Sequence, residues 1–449
     1  MAISLSLKGT YKKGAFEDQM KYLVKLSGAL NNYAEDMIKD YHTAFEEENY
    51  VLYGTDAKPK LEKKVAMVQL SFHPAAHPVM IALFHPNHIV VNAETSGVGP
   101  GYHQFLCDMF KAAAGPLKIT WELPNCVDPT GYFLNGNRSA LESAFLRWLG
   151  DQCSDIFDLY NQGERQLALA LPTLDRFLHD EAVATPLGPR PASWLDAVAQ
   201  DSSRGKDMFA WWDAGKGGNY YLGRALSQLW LQARFRQPMT ENETSSYADM
   251  LNCFEAAYKV APQLRYPWRE WDDFLRMTDR DDQLTREVGE KADAENGARP
   301  LFGYRRGEYV SVFPAGWHIT LPGSFAEQVD ENGMWSGWDE SRTVQIGTLT
   351  PPPNADGGLT PAAEMIKGAP PLGMGRGEDF ERDDEGMISK GNLHQANEDN
   401  RIYWRLGTVS AVDGSMLIVT INFDNDEDKD WAMEVWKSIY FAAPDRAAY

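Results

Sequence analysis

A glycine-rich turn between a predicted strand and a predicted helix holds the residues best placed for chemistry. It contains Gly97, Gly99 and Gly101 at alternate positions, followed by Tyr102. Glycines let backbone N–H groups approach an anion, and a helix N-terminus favours negative charge. These four residues are therefore a candidate anion or nucleotide site. The spacing departs from the dinucleotide fingerprint and no Gly-Lys-Ser/Thr ends the turn, so a tight turn before a helix is the alternative interpretation.

Three side chains beside this turn could take part in catalysis. His103 and Cys107 stand four residues apart, which places them on one face of a helix, and Glu94 comes just before the turn. A thiol becomes reactive near a helix N-terminus and an imidazolium. The pattern indicates an enzyme that uses His103 as acid or base. In the alternative interpretation Cys107 simply packs in the core, because it lies more than one turn inside the helix.

A group of histidines raises the question of a metal site. His73, His77, His85 and His88 fall close together in the chain. Zinc needs three or four ligands that converge at about 2.0–2.3 Å. Three of these histidines precede proline, which is typical of turns at strand ends. We therefore expect no metal at these four histidines, and no motif indicates a cofactor.

Composition narrows the classes of partner. Among 449 residues, 64 acidic side chains face 43 basic ones, a formal net charge of −21. This balance disfavours nucleic acid and anionic membranes, and it is compatible with a basic protein partner. The four cysteines lack C-x-x-C spacing, and the sequence has neither a signal-peptide pattern nor a run of eighteen apolar residues. We expect a reduced, cytoplasmic protein without membrane insertion.

Hydrophobic periodicity predicts an α+β protein of several domains. A long amphipathic helix, or two in tandem, is predicted from residue 16 to about 48, followed by strands at 65–72, 79–84, 88–95 and 117–122. The predicted organisation is an N-terminal α+β domain with a small antiparallel sheet (1–130), an all-helical region (131–280), a charged linker (281–300) and a C-terminal α+β domain (301–449).

The C-terminal region resembles a known group of α/β sandwiches. A strand runs into Pro314-Ala315-Gly316-Trp317, and the chain closes with a helix that contains Trp436-Lys437-Ser438-Ile439. These features are similar to those of the PsbP/DcrB-like group. The resemblance implies an antiparallel sheet with flanking helices and a non-enzymatic role, such as assembly factor or secretion chaperone. Residues 351–400, rich in glycine, proline and acidic residues, are interpreted as a mobile insert.

Part of the helical region resembles a tetratricopeptide unit. Phe254, Ala257 and Pro262 match the spacing of its second helix, and Leu222-Gly223 resembles the Leu-Gly pair of its first. The resemblance implies a helical hairpin that serves as a surface for protein contacts. Ordinary packing of two helices is the alternative.

Two functional hypotheses follow. The first is a non-enzymatic protein-interaction protein of the immunity, adaptor or chaperone type, linked to bacterial toxin secretion. The second is an enzyme that uses the turn at 94–103 as an anion or nucleotide site.

Overall fold

The computed structural model groups the chain into two compact units. Unit 1 comprises Met1–Thr173, His179–Ala233 and Asn242–Gly303, and unit 2 comprises Leu174–Leu178, Arg234–Glu241 and Tyr304–Tyr449. The structure describes residues 2–12, 19–35, 37–38, 40–54, 58–164, 167–172, 176–177, 182–295, 303–352, 358–369, 377–384, 386–398 and 400–442. The start of the predicted first helix (16–18), the end of the predicted linker (296–300) and residues 353–357, 370–376, 385 and 399 of the predicted insert lie outside the described residues.

Unit 1 begins with a six-stranded antiparallel sheet, and strands and helices are numbered here along the whole chain. The elements of this part are β1 (Ser4–Tyr11), α1 (Gln19–Ala34), β2 (Asp40–Val51), β3 (Lys60–Ser71), β4 (Val79–Phe84), β5 (His88–Glu94), α2 (Pro100–Leu117) and β6 (Ile119–Trp121). The strand order is β2-β3-β4-β5-β1-β6. Helices α1 and α2 pack on one another and against the sheet. Leu23, Leu26 and Leu30 of α1 are buried because their helical spacing places them on the same face.

The second half of the predicted first helix is wrong, because its residues form strand β2. The helix ends at Ala34, and residues 40–51 form a strand instead of continuing to residue 48. Tyr33, Met37 and Tyr41 have helical spacing, which produced the wrong prediction. Pairing with β3 along almost its whole length, from Asp40 opposite Ser71 to Val51 opposite Lys60, gives these residues their backbone hydrogen bonds.

The second part of unit 1 is mainly helical, as predicted, but it also contains a small sheet. Its elements are α3 (Tyr132–Asn135), α4 (Arg138–Asn161), β8 (Ala182–Thr185), β9 (Gly188–Pro191), α5 (Ala192–Gln200), α6 (Gly218–Leu231), α7 (Glu241–Val260), α8 (Trp268–Met277) and α9 (Gln283–Glu295). Strands β8 and β9 pair as a hairpin in a region predicted to have no strands. The aromatic-rich segments at 209–221 and 266–274 place residues such as Trp211 and Trp271 in the core.

Helix α9 occupies most of the segment predicted as a charged linker. It contacts α8, and Val288 and Ala292, four residues apart, are buried. Two apolar residues at this spacing are enough to pack a helix whose other positions are mostly charged or polar. The linker interpretation therefore does not hold for residues 283–295.

Unit 2 contains two antiparallel sheets. Its elements are β7 (Arg176–Phe177), β10 (Glu308–Phe313), β11 (Trp317–Pro322), β12 (Ala326–Val329), β13 (Trp335–Trp338), β14 (Arg342–Leu349), α10 (Ala362–Gly368), β15 (Glu378–Asp384), β16 (Met387–Glu398), β17 (Arg401–Val412), β18 (Ser415–Phe423), α11 (Lys429–Lys437) and β19 (Tyr440–Phe441). The orders are β19-β11-β10-β7 and β12-β13-β14-β18-β17-β16-β15. Asp413-Gly414 forms the two-residue turn between β17 and β18.

The segment 351–400, predicted as a mobile insert, contributes strands β15 and β16 to the larger sheet. Strand β16 pairs with β17 along eleven residues of register, from Ile388 to Glu398, and β15 forms the edge beside it. Ser389 and Asn392 are buried in β16, so its inward positions are partly polar and the strand lacks the usual apolar alternation. The interpretation as a mobile insert is therefore wrong for α10, β15 and β16.

Within the described part of the chain, no helix has both the length and the apolar character required to cross a bilayer.

Candidate functional site

His103 and Cys107 meet a carboxylate inside unit 1. Both residues project from the same face of α2 and are fully buried, and Asp128 approaches them from the loop after β6. One donor atom from each of the three side chains lies within 4.8 Å of the others. His103 Nε2 is 3.2 Å from Asp128 Oδ1. The helix therefore brings the predicted pair together, and a loop adds the acid.

Two threonines complete the contacts of the imidazole. Thr95 Oγ1 lies 2.9 Å from His103 Nδ1, and it donates to the carbonyl oxygen of Ile3, the residue before β1, at 3.1 Å. Thr130 Oγ1 lies 3.3 Å from His103 Nε2 and donates to Asp128 Oδ1 at 2.7 Å. Both ring nitrogens are thus engaged, and the ring is fixed between the edge of the glycine turn and the loop at 128–130.

The carboxylate of Asp128 is held in its ionised form. Burial alone would raise its pKa, but the hydrogen bond and charge of His103, the Phe133 N–H at 2.7 Å and the Thr130 hydroxyl together lower the pKa well below the ordinary range. Burial raises the pKa of the Cys107 thiol well above its ordinary value, and Asp128 adds to this. The thiol is therefore protonated at neutral pH, and it is not an activated nucleophile.

Glu94 lies elsewhere in the site region. Its carboxylate accepts a hydrogen bond from Ser96 Oγ at 3.0 Å and lies 3.9 Å from His77 Nε2. The carboxylate beside His103 is that of Asp128, and the candidate Glu94 does not contact this imidazole in the described part of the structure. The signal for Asp128 was the Asp-x-Thr pattern, because Asp128 Oδ1 also accepts from the Thr130 N–H at 2.8 Å in an Asx-type turn.

The glycine turn is covered by a neighbouring segment of unit 1. The Gly101 N–H donates to the Trp211 carbonyl oxygen at 3.0 Å, and the Trp211 N–H donates to the Val98 carbonyl oxygen at 2.9 Å. A Cβ added to Gly101 would lie 2.2 Å from Asp213 O, and Gly99 has φ +120°. The two glycines thus allow close backbone approach, and an anion at the Gly101 N–H would compete with the Trp211 carbonyl.

Tyr102 and the candidate histidines each have contacts of their own. Tyr102 is fully buried, and its ring centroid lies 6.3 Å from that of His73. His73 is also buried, its Nδ1 accepts from the Ala75 N–H, and burial followed by the charge of Arg224 lowers its pKa. His88 stacks on Phe84 at the start of β5.

Among the described residues, the group at His103, Cys107 and Asp128 is the one set of three or more metal-donor side chains with atoms within 4.8 Å. His73, His77, His85 and His88 are not brought together as such a set.

The outer edge of the unit 1 sheet is a second candidate. Strand β2 ends the sheet order and is twelve residues long. Tyr41, Phe45 and Tyr50 are 67%, 48% and 64% exposed. Tyr41 and Phe45 lie opposite Leu70 and Ala66 of β3, both fully buried, so the apolar row of the sheet continues outward onto β2.

Comparisons with known proteins give little further guidance. No family model matches the sequence, and no curated protein does. A crystal structure from Bacteroides thetaiotaomicron VPI-5482 is 11% identical, with a TM-score of 0.24 over 30% of this chain and 48% of its own, so this chain spans about half its length. The solution structure of cyanobacterial PsbP (CyanoP) from Synechocystis sp. PCC 6803 is 11% identical, with a TM-score of 0.23 over 30% of this chain and 93% of its own.

PsbP is therefore a weak structural neighbour, and the PsbP/DcrB-like resemblance carries no argument at this score. The comparisons lend no support to the tetratricopeptide resemblance.

Proposed function

We propose that this chain is a protein-interaction protein that binds an extended, basic segment of a partner along β2. The observation that carries the proposal is the exposed edge strand with its aromatic side chains. A peptide strand can add to such an edge through backbone hydrogen bonds, with alternate side chains read by the sheet face.

The composition of β2 supports a docking edge. Natural edge strands are commonly protected by short length, proline, bulges or charged side chains, lysine above all. Strand β2 has twelve residues, Asp-Tyr-His-Thr-Ala-Phe-Glu-Glu-Glu-Asn-Tyr-Val, with no lysine or proline among them. An added strand would place apolar side chains beside Tyr41 and Phe45 and extend the row that ends there.

The acidic side chains of β2 favour a basic partner segment at this edge. Glu46, Glu47 and Glu48 are consecutive and exposed on β2, and Glu48 lies 3.5 Å from Lys63 across the hairpin. If two copies of β2 paired antiparallel at full overlap, the glutamates at 46–48 of one copy would lie opposite residues 43–45 of the other and the two Glu46 side chains would be diagonal neighbours, which repulsion disfavours. A basic segment is attracted instead, in agreement with the net charge of −21.

An immunity, adaptor or chaperone role linked to bacterial toxin secretion stays a prediction within this proposal. The enzyme alternative places its acid or base at His103, whose side chain is fully buried, so a substrate would reach it only after the covering segment had moved.

The test compares tagged full-length variants as bait in extracts of the source cells. Glu46→Lys/Glu47→Lys reverses charge on β2, and Phe45→Ser removes the exposed ring. Asp383→Lys is the matched control, because it reverses an exposed charge on β15, the edge strand of the larger sheet of unit 2.

We expect one stoichiometric protein that is retained by the wild type and by the Asp383 variant and is released by high salt. The double lysine variant should bind it at least about tenfold more weakly, equivalent to about 1.4 kcal/mol. Hydrogen exchange of peptides covering residues 40–51 should slow in the complex. Equal retention by the β2 variants, or unchanged exchange at β2 in the complex, would refute the proposal.

A further inference from the structure

We propose that His103, Cys107 and Asp128 form a buried structural site for a zinc-type divalent metal ion. The inference is independent of the β2 interaction, because none of the three ligands lies on β2. It begins from the coincidence of three different donor types, an imidazole nitrogen, a thiol sulfur and a carboxylate oxygen, within 4.8 Å of one another. Zinc takes these three ligand types.

The separations suit one metal ion. Metal–ligand lengths of about 2.0–2.3 Å at tetrahedral angles place ligand atoms about 3.5 Å apart. His103 Nε2 and Asp128 Oδ1 are already 3.2 Å apart. The Cys107 sulfur lies within 4.8 Å of both atoms, one helical turn from His103 on the same face of α2.

The surroundings orient both ligands for coordination. Thr95 Oγ1 at Nδ1 fixes the imidazole so that Nε2 faces Asp128, the arrangement in which the outer nitrogen of a metal-bound histidine is hydrogen-bonded. The other carboxylate oxygen, Asp128 Oδ2, is held by the Phe133 N–H at 2.7 Å. Thr130 Oγ1 lies 3.3 Å from Nε2 and donates to Asp128 Oδ1 at 2.7 Å, so it helps to orient the carboxylate oxygen that faces the imidazole.

Charge balance explains why a thiol belongs in this cluster. The Cys107 proton leaves to solvent when the metal binds, and the sulfur becomes a thiolate ligand. A divalent ion with one thiolate and one carboxylate has no net charge, which is favourable beside the buried ring of Phe145, 6.0 Å from the His103 ring. A proton between Nε2 and Oδ1 would satisfy the histidine and the aspartate, but it would give the sulfur no role.

Metal content tests the proposal on the full chain. The protein is produced with a tag that does not bind metal, in medium supplied with Zn²⁺ or with Co²⁺, and metal per chain is measured by mass spectrometry after gel filtration. We expect about one ion per chain. The Co²⁺ form should show a thiolate-to-metal charge-transfer band in the near ultraviolet and the visible bands of tetrahedral Co²⁺.

Matched variants assign the ligands. Cys107→Ala should abolish the charge-transfer band, and Asp128→Asn should lower the metal content by at least about tenfold. Cys153→Ala is the control, because Cys153 is equally buried but is not part of the donor cluster. It should keep the metal and the band. Far-ultraviolet circular dichroism verifies that each variant is folded.

If the wild-type protein contains no metal after production in either medium, the proposal is overturned. The cluster would then be explained by a buried hydrogen bond between His103 and Asp128. A charge-transfer band that persists in Cys107→Ala would also overturn it.

Discussion

The close approach of residues 209–213 to the glycine turn predicts that Gly101→Ala destabilises unit 1. The added Cβ would lie 2.2 Å from Asp213 O and 2.4 Å from Trp211 Cδ1, whereas ordinary contact begins at 3.4 Å. The segment would have to retreat by about 1.2 Å, the difference between 3.4 and 2.2 Å. The hydrogen bonds that join Gly101 to Trp211 and Trp211 to Val98 would then be lost or lengthened.

These contacts give the expected loss in the free energy of unfolding for Gly101→Ala. Two backbone hydrogen bonds contribute about 1 kcal/mol each, and overpacking adds about 1–3 kcal/mol, which gives about 3–5 kcal/mol in all. Gly28→Ala is the matched control, because Gly28 lies inside α1 with nothing within 4 Å of an added Cβ. The same methyl group should stabilise α1 there by about 0.5–1 kcal/mol.

Native-state hydrogen exchange is the appropriate assay, because it reports local opening and does not require a chain of 449 residues to unfold in one step. Exchange at the start of α2 should accelerate by about two to three and a half powers of ten in Gly101→Ala. Exchange in α1 should slow in Gly28→Ala. If Gly101→Ala exchanges like the wild type, residues 209–213 do not cover the turn and our account of its glycines is wrong.

Further predictions concern unit 2. Glu327 lies between Arg305 at 2.7 Å and Arg234 at 3.2 Å and is 20% exposed, so Glu327→Gln should cost about 3 kcal/mol in urea unfolding; no loss would contradict this pairing. Burial alone would raise the pKa of Glu327, but the two arginines lower it. Its contribution is therefore present above about pH 4.3 and lost as pH falls through the lowered value, and Glu327→Gln should flatten the acid limb of stability against pH. Trp317→Phe should cost about 2 kcal/mol in thermal unfolding, because Trp317 Nε1 donates to the buried Ser415 hydroxyl at 2.9 Å; an unchanged melting temperature would refute this.

Strands with an apolar, alternating pattern were predictable from the sequence. Strand β4 matches its predicted range, and β5 matches to within one residue at its end. Strand β1 was not predicted, and β2 was taken for a helix because aromatic residues happen to recur at helical spacing. Strand β16 escaped because Ser389 occupies a buried position, satisfied there by Ser410 Oγ at 2.8 Å and Trp436 Nε1 at 2.8 Å. Such partners come from distant parts of the chain, and local periodicity does not contain them.

The candidate site was likewise predictable only in part from the sequence. His103 and Cys107 were predictable as a pair because helical geometry alone sets their spacing. Asp128 reaches them through the turn at 128–130, and Thr95 reaches His103 across the start of the glycine turn. These contacts depend on where the loop after β6 returns to the sheet, and no local sequence pattern specifies that position.

The discontinuous make-up of unit 2 has a consequence for the protein during its synthesis. Strand β7 pairs with β10, and Arg234 pairs with Glu327, although both earlier segments leave the ribosome long before residue 304. Unit 2 cannot close its smaller sheet until these earlier segments are joined by the later chain. A fragment cut at residue 304 would lack one edge strand and one of the two arginines that neutralise Glu327. Separate expression of the C-terminal part therefore requires the segments at 174–178 and 234–241 to be supplied with it.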